Sequence, residues 1–474
     1  MDRLELGVGL TWFPAWEDRF DSLSDAIDVI EVEPQTLCWQ TDDPEEPFVL
    51  DESALMRLQA LPQAKLVHGV SSPVGTSEIP NPAGVRLLAQ AAAGLEAELS
   101  SEHLSFNRTR RDGGMSFAGF LLPPRQSSAG VNQAVRGARS IARRLGMRSF
   151  SVETGVNYLR PRRDELRDGE FVGRVATRAD CGILLDLHNV WTNELNGRQR
   201  VIEFLDDLPL ERVWEVHVAG GFEFGGYWLD AHSGLVPEPL LDIAEWALPR
   251  LPELRAVIFE VLPEYVPALD VIAVRDQLER LRAIARRRPA PRKRAPRDLT
   301  SGGLRARRTE PDDSGPSPQA WENTLGDLAA GQIPAVEIQS LAEDPAVPML
   351  QTLVKAARAG RITDGLRLTI RAVLLTQGAG GVEALLDRYM AATRPQLWGS
   401  AEASQFAGWL ETQNVDRLVR DVATLEAAAI ASLRGHRTIE VLASVEPRST
   451  LTALGDGRLP DPLVTGAFRV EITP

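Results

Sequence analysis

Short apolar runs alternate with amphipathic stretches over roughly the first 280 residues, a spacing that suits repeated strand–helix units. The runs are LELGVGL (4–10), AIDVIEVE (26–33), AKLVHGV (64–70) and LSSEHLSF (99–106), then RSFSVETG (148–155), CGILLDLHN (181–189), RVWEVHVAG (212–220) and RAVIFEVL (255–262). Between them, GVRLLAQAAAGLEAEL (84–99) and GVNQAVRGARSIARRLG (130–146) carry the 3.6-residue period of helices packed on one side. Near-continuous apolar runs are expected of parallel strands covered on both faces. Eight such strands alternating with helices predict a TIM-type (β/α)8 barrel over residues 1–285. An open doubly wound sheet is the alternative, and no GxGxxG follows the first strand to favour it.

The pattern then breaks. Residues 286–319 are rich in Arg, Pro, Gly and Ser with few apolar positions, the composition of a flexible tether. From 320 to 474 the helical stretches DGLRLTIRAVLLTQ and NVDRLVRDVATLEAAAIASLRG come first, and RTIEVLASVE and GAFRVEITP read as strands at the end. The second domain is therefore expected to be mostly helical with a small β-containing end.

Composition narrows the function classes. The net charge of -14 disfavours a nucleic-acid substrate, which requires a basic face, and the arginine run of the linker reads as a solvated connector. No apolar run approaches the roughly 18 residues that span a bilayer, and the first residues, MDRLELGVGL, lack a signal-peptide pattern. The expectation is a cytoplasmic enzyme with neither a nucleic-acid nor a membrane partner. Two cysteines, Cys38 and Cys181, make neither a disulfide framework nor a CxxC metal site.

The six histidines carry the chemistry. Catalytic groups of a barrel collect at the C-terminal ends of its strands, and here the runs end in His68, His103, Glu153, Asp186 with Asn189, His217 and Glu260, while Asp230 and His232 follow the seventh run. Any one of these is most simply a helix cap or a satisfied core residue. Gathered on one rim, the acids would repel one another and rise in pKa unless cations lay among them. Imidazole with carboxylate and no thiolate suits Fe, Mn or Zn, and the number of candidates exceeds what one ion needs. Spacing alone leaves open whether the chemistry is hydrolysis or oxidation.

At these residues the chain resembles the multinuclear non-heme iron-dependent oxidative enzymes typified by methanobactin biosynthesis protein B. The resemblance spans about residues 5–285 and rests on GVGL, IEVEP, VHGVSSPVG, SEHLSF, SVETGVNYL, LLDLHNVWTN, VHVAGG, WLDAHSGLVPEP and VIFEVLPE in that order. It implies two or three iron ions of mixed Fe(II)/Fe(III) state, O2 as co-substrate, and oxidation of a ribosomally synthesised precursor peptide at cysteine. Carried over by motif, His68 and His103 bind one iron, and Glu153 bridges to a second held by Asp186, His217 and Glu260. Asn189, Asp230 and His232 serve a third. Glu153, Asp186, His217 and Glu260 are the residues expected to carry catalysis. The family's usual HxAGH is HVAGG here, with Gly220 read as standing in for the second histidine and His188 as the nearest replacement. That departure implies a di-iron core with a partial third site. RYMAATRPQLWGSAEASQFAGWLE and VDRLVRDVATLEAA resemble partner proteins that bind the precursor's leader, on Trp398-Gly399, Phe406-Trp409 and Leu425-Glu426. The rival reading is a metal-dependent hydrolase or isomerase, like endonuclease IV or xylose isomerase, on the same barrel.

Overall fold

The computed structural model describes residues 6–111, 114–146, 149–287, 315–335 and 338–474. Most of the linker expected at 286–319 therefore lies outside the described residues. Eight strands close into a parallel barrel in sequential order: β1 (Gly7–Trp12), β2 (Val29–Val32), β3 (Ala64–Gly69), β4 (Leu99–His103), β5 (Phe150–Glu153), β6 (Gly182–Asp186), β7 (Val213–Val218) and β8 (Ala256–Phe259), with β8 pairing back to β1. The helices that cover it include α1 (Glu52–Gln59), α2 (Pro82–Gly94), α3 (Ser128–Leu145), α4 (Asp168–Ala179), α5 (Leu187–Leu195), α6 (Val201–Asp207), α7 (Glu238–Ala247) and α8 (Val271–Ala285). The barrel expectation holds, and the doubly wound alternative falls with the closure.

Strand alternation sorts side chains into two cores. Val8, Leu10, Ile30, Val32, Val67, Val152, Ile183, Leu185, Val216, Val218, Val257 and Phe259 join the large core between strands and helices. Val29, Leu66, Leu99, Ala256 and Ile258 form a separate small cluster inside the barrel. Two or four residues further along the same inward faces stand Glu31, His68, Ser101, His103 and Glu260. The barrel thus has an apolar floor and a polar upper layer, and the layer holds its charged groups because backbone groups and oppositely charged side chains replace water around them.

Two features depart from the run pattern. The fourth run splits: β4 stops at His103, and Phe106–Arg111 pairs antiparallel with Gly114–Leu122 as a hairpin over the barrel mouth. The sixth run also stops early, because Asp186 caps α5 by accepting from Asn189 N at 2.9 Å. His188 and Asn189 accordingly lie in the first helical turn.

The C-terminal region begins with α9 (Pro318–Ala329), capped by Ser317, followed by α10 (Val347–Gly365), α11 (Arg367–Ala392, kinked at Gly378), α12 (Gly399–Glu411) and α13 (Arg417–Gly435). Then β9 (Ile439–Val445) and β10 (Thr465–Ile472) pair antiparallel around α14 (Pro447–Gly455). Trp321, Leu325, Met349 and Leu350 of α9 and α10 share a core with Phe106, Leu122, Tyr158 and Leu229 of the barrel loops. The helical region is thus packed on the face that carries the strand ends.

Inside this region Arg358 and Glu402, both essentially inaccessible, form an ion pair at 2.8 Å to which Tyr389 donates a further hydrogen bond at 2.8 Å. Removing one charge of such a pair strands the other in a dry interior. Glu402→Gln is expected to lower unfolding stability by about 3–5 kcal/mol in urea titration.

Candidate metal centre

Four carboxylates tie the rim together. Glu153 Oε2 lies 3.2 Å from His68 Nε2 and 2.9 Å from His103 Nε2. Its other oxygen faces His217 Nδ1 at 4.0 Å. Glu260 spans the next gap, 2.8 Å from His217 Nδ1 and 3.1 Å from His232 Nδ1. His232 Nε2 then meets Asp230 Oδ1 at 2.8 Å and Asp186 Oδ2 at 3.4 Å. Eight of the nine residues singled out by sequence are linked side chain to side chain, and Asn189 adjoins them through its backbone N–H, which donates to Asp186 Oδ1. Glu153, Asp186, His217 and Glu260 form one group with ligand atoms mutually within 4.8 Å, and His68, His103 and Glu153 form another.

Surrounding bonds aim these groups. His103 Nδ1 faces the Gly69 carbonyl at 3.0 Å, an acceptor only, so the ring donates there and turns the Nε2 lone pair to the centre. His68 Nδ1 shares a hydrogen bond of 2.7 Å with Ser101 Oγ, which holds the ring in place whichever of the two donates. Asn189 donates its amide to Thr154 O at 3.1 Å, which fixes the side chain and leaves its carbonyl oxygen buried without a hydrogen bond. His232 adopts a left-handed φ of 41°, a conformation costly for a side-chain-bearing residue and tolerated where a site fixes it.

The donor set fits a metal. Glu153 Oε2, Asp186 Oδ2, Asn189 Oδ1, Asp230 Oδ1 and His232 Nε2 are buried and make no hydrogen bond. Several are within 3.5 Å of one another yet lack hydrogen-bond angles, as expected of lone pairs directed at common points. Buried polar atoms are nearly always satisfied, so five orphans in one place call for something between them.

Sequence reasoning passed over Glu31, Glu33 and Glu215. Glu31 accepts from Thr11 Oγ1 at 3.2 Å and lies 3.1 Å from His217 Nε2, with Glu215 at 3.7 Å from the same nitrogen. Burial, reinforced by neighbouring Glu31, pushes the Glu215 carboxyl up to about 7. Burial likewise raises Glu33 to about 7, against the pull of His68. The signal was available: these residues have the parity of the inward-facing rim, one step deeper or one step beyond.

Without metal the rim is a network of ion pairs. Burial disfavours protonated His68, but Glu153 beside it prevails and holds the pKa at about 9. Burial opposes, and Glu31 and Glu260 outweigh it, in raising His217 well above the usual value. Cations must displace these protons. Metal affinity is therefore expected to rise with pH up to about 9, by as much as about tenfold per unit for each proton released, measurable by calorimetric titration in buffers of increasing pH. The apo protein should behave in the opposite sense: a raised folded pKa contributes stability below the unfolded value near 6.5, lost as pH climbs through about 9.

The family follows from the comparison of this chain with known ones. The profile of the RiPP precursor modification enzymes MbnB/TglH/ChrH matches residues 7–285. The chain belongs to that family. The matched span holds every residue of the rim, and it stops before the C-terminal helical region. A UPF0276 protein of Streptomyces avermitilis is 32% identical over 252 residues, covering 51% of this chain and 49% of that protein. One from Anaeromyxobacter is 30% identical over 178 residues, covering 38% of this chain and 61% of its own length. The chain thus spans about half to three-fifths of these two relatives. Among solved structures, endonuclease IV from Thermus thermophilus aligns with a TM-score of 0.37 at 16% identity, over 58% of this chain and 99% of that one, too slight a likeness to bear on function.

One sequence reading needs correction. Counted through HVAGG, residues 217–221, the fifth position of HxAGH is Gly221, not Gly220. A Cβ on Gly220 would lie 2.2 Å from Ser233 O and 2.6 Å from Leu235 O, so backbone fills that place. A Cβ on Gly221 would instead meet His188 Nε2 at 2.6 Å. The imidazole of His188 occupies the space the absent histidine would claim. The features that suggested leader recognition have packing roles: Trp398 lies against Phe48 with centroids 4.3 Å apart, Phe406 and Trp409 pack on Tyr389, and Glu426 accepts from the backbone of Leu368 and Thr369.

Proposed function

We propose that the chain uses a multinuclear iron centre and dioxygen to oxidise a ribosomally synthesised precursor peptide at a cysteine side chain. The observation that carries this reading is the pair of shared carboxylates, Glu153 and Glu260, each set between histidines of different strands. Carboxylates so placed suit adjacent ions, and imidazole–carboxylate donors without thiolate suit iron.

His68, His103 and Glu153 would hold one ion; Glu153, Asp186, His217 and Glu260 a second; Asn189, Asp230 and His232 the third position. Iron bound there would supply one-electron chemistry with dioxygen and a cationic seat for a thiolate. Glu31 accepts from His217 Nε2–H and thereby presents Nδ1 to the rim, the outer-shell arrangement that orients ligating histidines. Glu33, partly exposed at the mouth, titrates close to neutrality and can take the proton a substrate thiol gives up at its carboxylate oxygen. The hairpin Phe106–Leu122 and the docked helical region wall the site from bulk water.

The C-terminal region is assigned the leader. Its two-stranded sheet has outer edges that pair with no further strand among the described residues, and Leu442 on β9 is 71% exposed. An extended peptide can add to such an edge through backbone hydrogen bonds. No helix among the described residues is long and apolar enough to cross a membrane.

Co-expression with short peptides encoded beside its gene, followed by mass spectrometry, tests the assignment. An oxygen-dependent mass change confined to a cysteine-containing segment is expected. A product formed equally under anaerobic conditions would overturn it.

A further inference from the structure

The ring of His188 raises a question that the metal-binding reading leaves open: whether it replaces the histidine missing at position 221. It is completely buried, it fills the space above Gly221, it groups with Asp186 and His232, and its Nδ1 lies 3.5 Å from Asp230 Oδ1. Those facts alone would make it a ligand. The opposite edge of the ring decides otherwise.

Trp228 Nε1 donates to His188 Nε2 at 3.3 Å. An indole N–H has no acceptor capacity, so the nitrogen it faces has to offer a lone pair. A neutral imidazole carries one proton, and with Nε2 accepting, that proton is on Nδ1. Coordination through Nδ1 would move it to Nε2 and set two N–H groups head to head. Trp228 cannot easily withdraw. Its backbone is bonded in both directions to the Asn196 side chain, at 2.9 Å each, and its ring packs on Trp191 with centroids 5.2 Å apart.

The Nδ1 proton has a destination. His188 Nδ1 and Asp230 Oδ1 are both buried without a hydrogen-bond partner, and they lie 3.5 Å from each other. A small rotation of either group closes that contact and satisfies both. Asp230 is further fixed by its backbone N–H, which donates to Tyr158 Oη at 3.0 Å.

We propose that Trp228 locks His188 in the Nδ1–H tautomer, making His188 a positioning residue that donates to Asp230 and leaving the third cation position without its second imidazole. This rests on the metal-centre reading and deepens it: the chain is built for two firmly held ions, with the third held only by Asn189, Asp230, His232 and the free oxygen of Asp186.

The direct test is the tautomer of His188 in metal-free protein labelled with 15N-histidine, read from long-range nitrogen–proton correlations and assigned by its absence in His188→Asn. The expected result is Nδ1–H in the full-length protein and a shift toward Nε2–H in Trp228→Phe. An Nε2–H signal in the unaltered protein, or no change in Trp228→Phe, would overturn the proposal. Titration with Co(II) alone gives a second readout. His188→Asn should bind as many tight ions as the unaltered chain, and Trp228→Phe should hold the third about 10-fold more tightly, the low end of what a partner to a ligating histidine is worth. Loss of one tight ion in His188→Asn would make His188 a ligand and sink the idea. If the chain took up no ion at all, the metal-centre reading would fall, while the nitrogen spectrum would still decide the tautomer.

Discussion

Replacing Glu153 with Gln is expected to cost both firmly held ions and, with them, turnover. Among the described residues Glu153 is the only carboxylate ion-paired with His68 and His103 together, and it is also the link to His217. The amide keeps the volume but loses the charge, and one of its two inner atoms becomes a donor aimed at the metal. Outer-shell partners of ligating residues are worth about 10–100-fold in affinity, so a shared ligand should exceed about 100-fold. Elemental analysis and calorimetry of Glu153→Gln beside the unaltered protein measure this. Because Glu153 holds the His68 pKa up, the variant should also lose the pH-dependent stability that the apo protein shows between pH 6.5 and about 9. A variant that kept two ions with unchanged affinity would show that the carboxylate belongs to the fold rather than to the centre.

The second large effect is expected far from the rim. Trp321→Ala should remove about 3–5 kcal/mol of stability, the range for truncating a large buried aromatic. Trp321 is 1% exposed, donates its indole N–H to Pro123 O at 3.0 Å, and lies under the guanidinium groups of Arg125 and Arg162 at 5.2 and 5.0 Å. It centres the core that joins α9 to Tyr158 and Leu229, and Tyr158 in turn holds the Asp230 backbone. The loss should therefore appear in urea unfolding and as weaker retention of the third ion. A change below about 1 kcal/mol would mean that the helical region is only loosely placed against the barrel.

How much of this was legible in the sequence depends on the kind of interaction. The barrel was legible because each strand is a local apolar run with a turn after it, and the rim followed because His68, Glu153, His217 and Glu260 stand at or near the ends of those runs. Glu31 and Glu215 were not found, although Glu31 stands two residues after inward-facing Val29 and Glu215 two residues before His217. A reading of last polar residues stops one layer too high, whereas the barrel interior is polar for two layers.

The docking of the C-terminal region was not legible at all. Phe106 and Trp321 are more than 200 positions apart, and nothing in either local pattern announces a shared core. A basic, Pro-rich segment between them argued for independent bodies. Similarly, the role of His188 could not be taken from HVAGG alone, because it depends on the direction of one indole N–H, that of Trp228, 40 residues away.

The central claim is a multinuclear iron centre, and the most direct measurement is the metal content of protein purified without oxygen, combined with Mössbauer spectroscopy. The account predicts two firmly bound irons per chain, in mixed oxidation states after brief exposure to oxygen, with a third only at excess iron. Stoichiometric zinc, together with activity that persists without oxygen, would contradict it and point to a hydrolytic centre on the same rim.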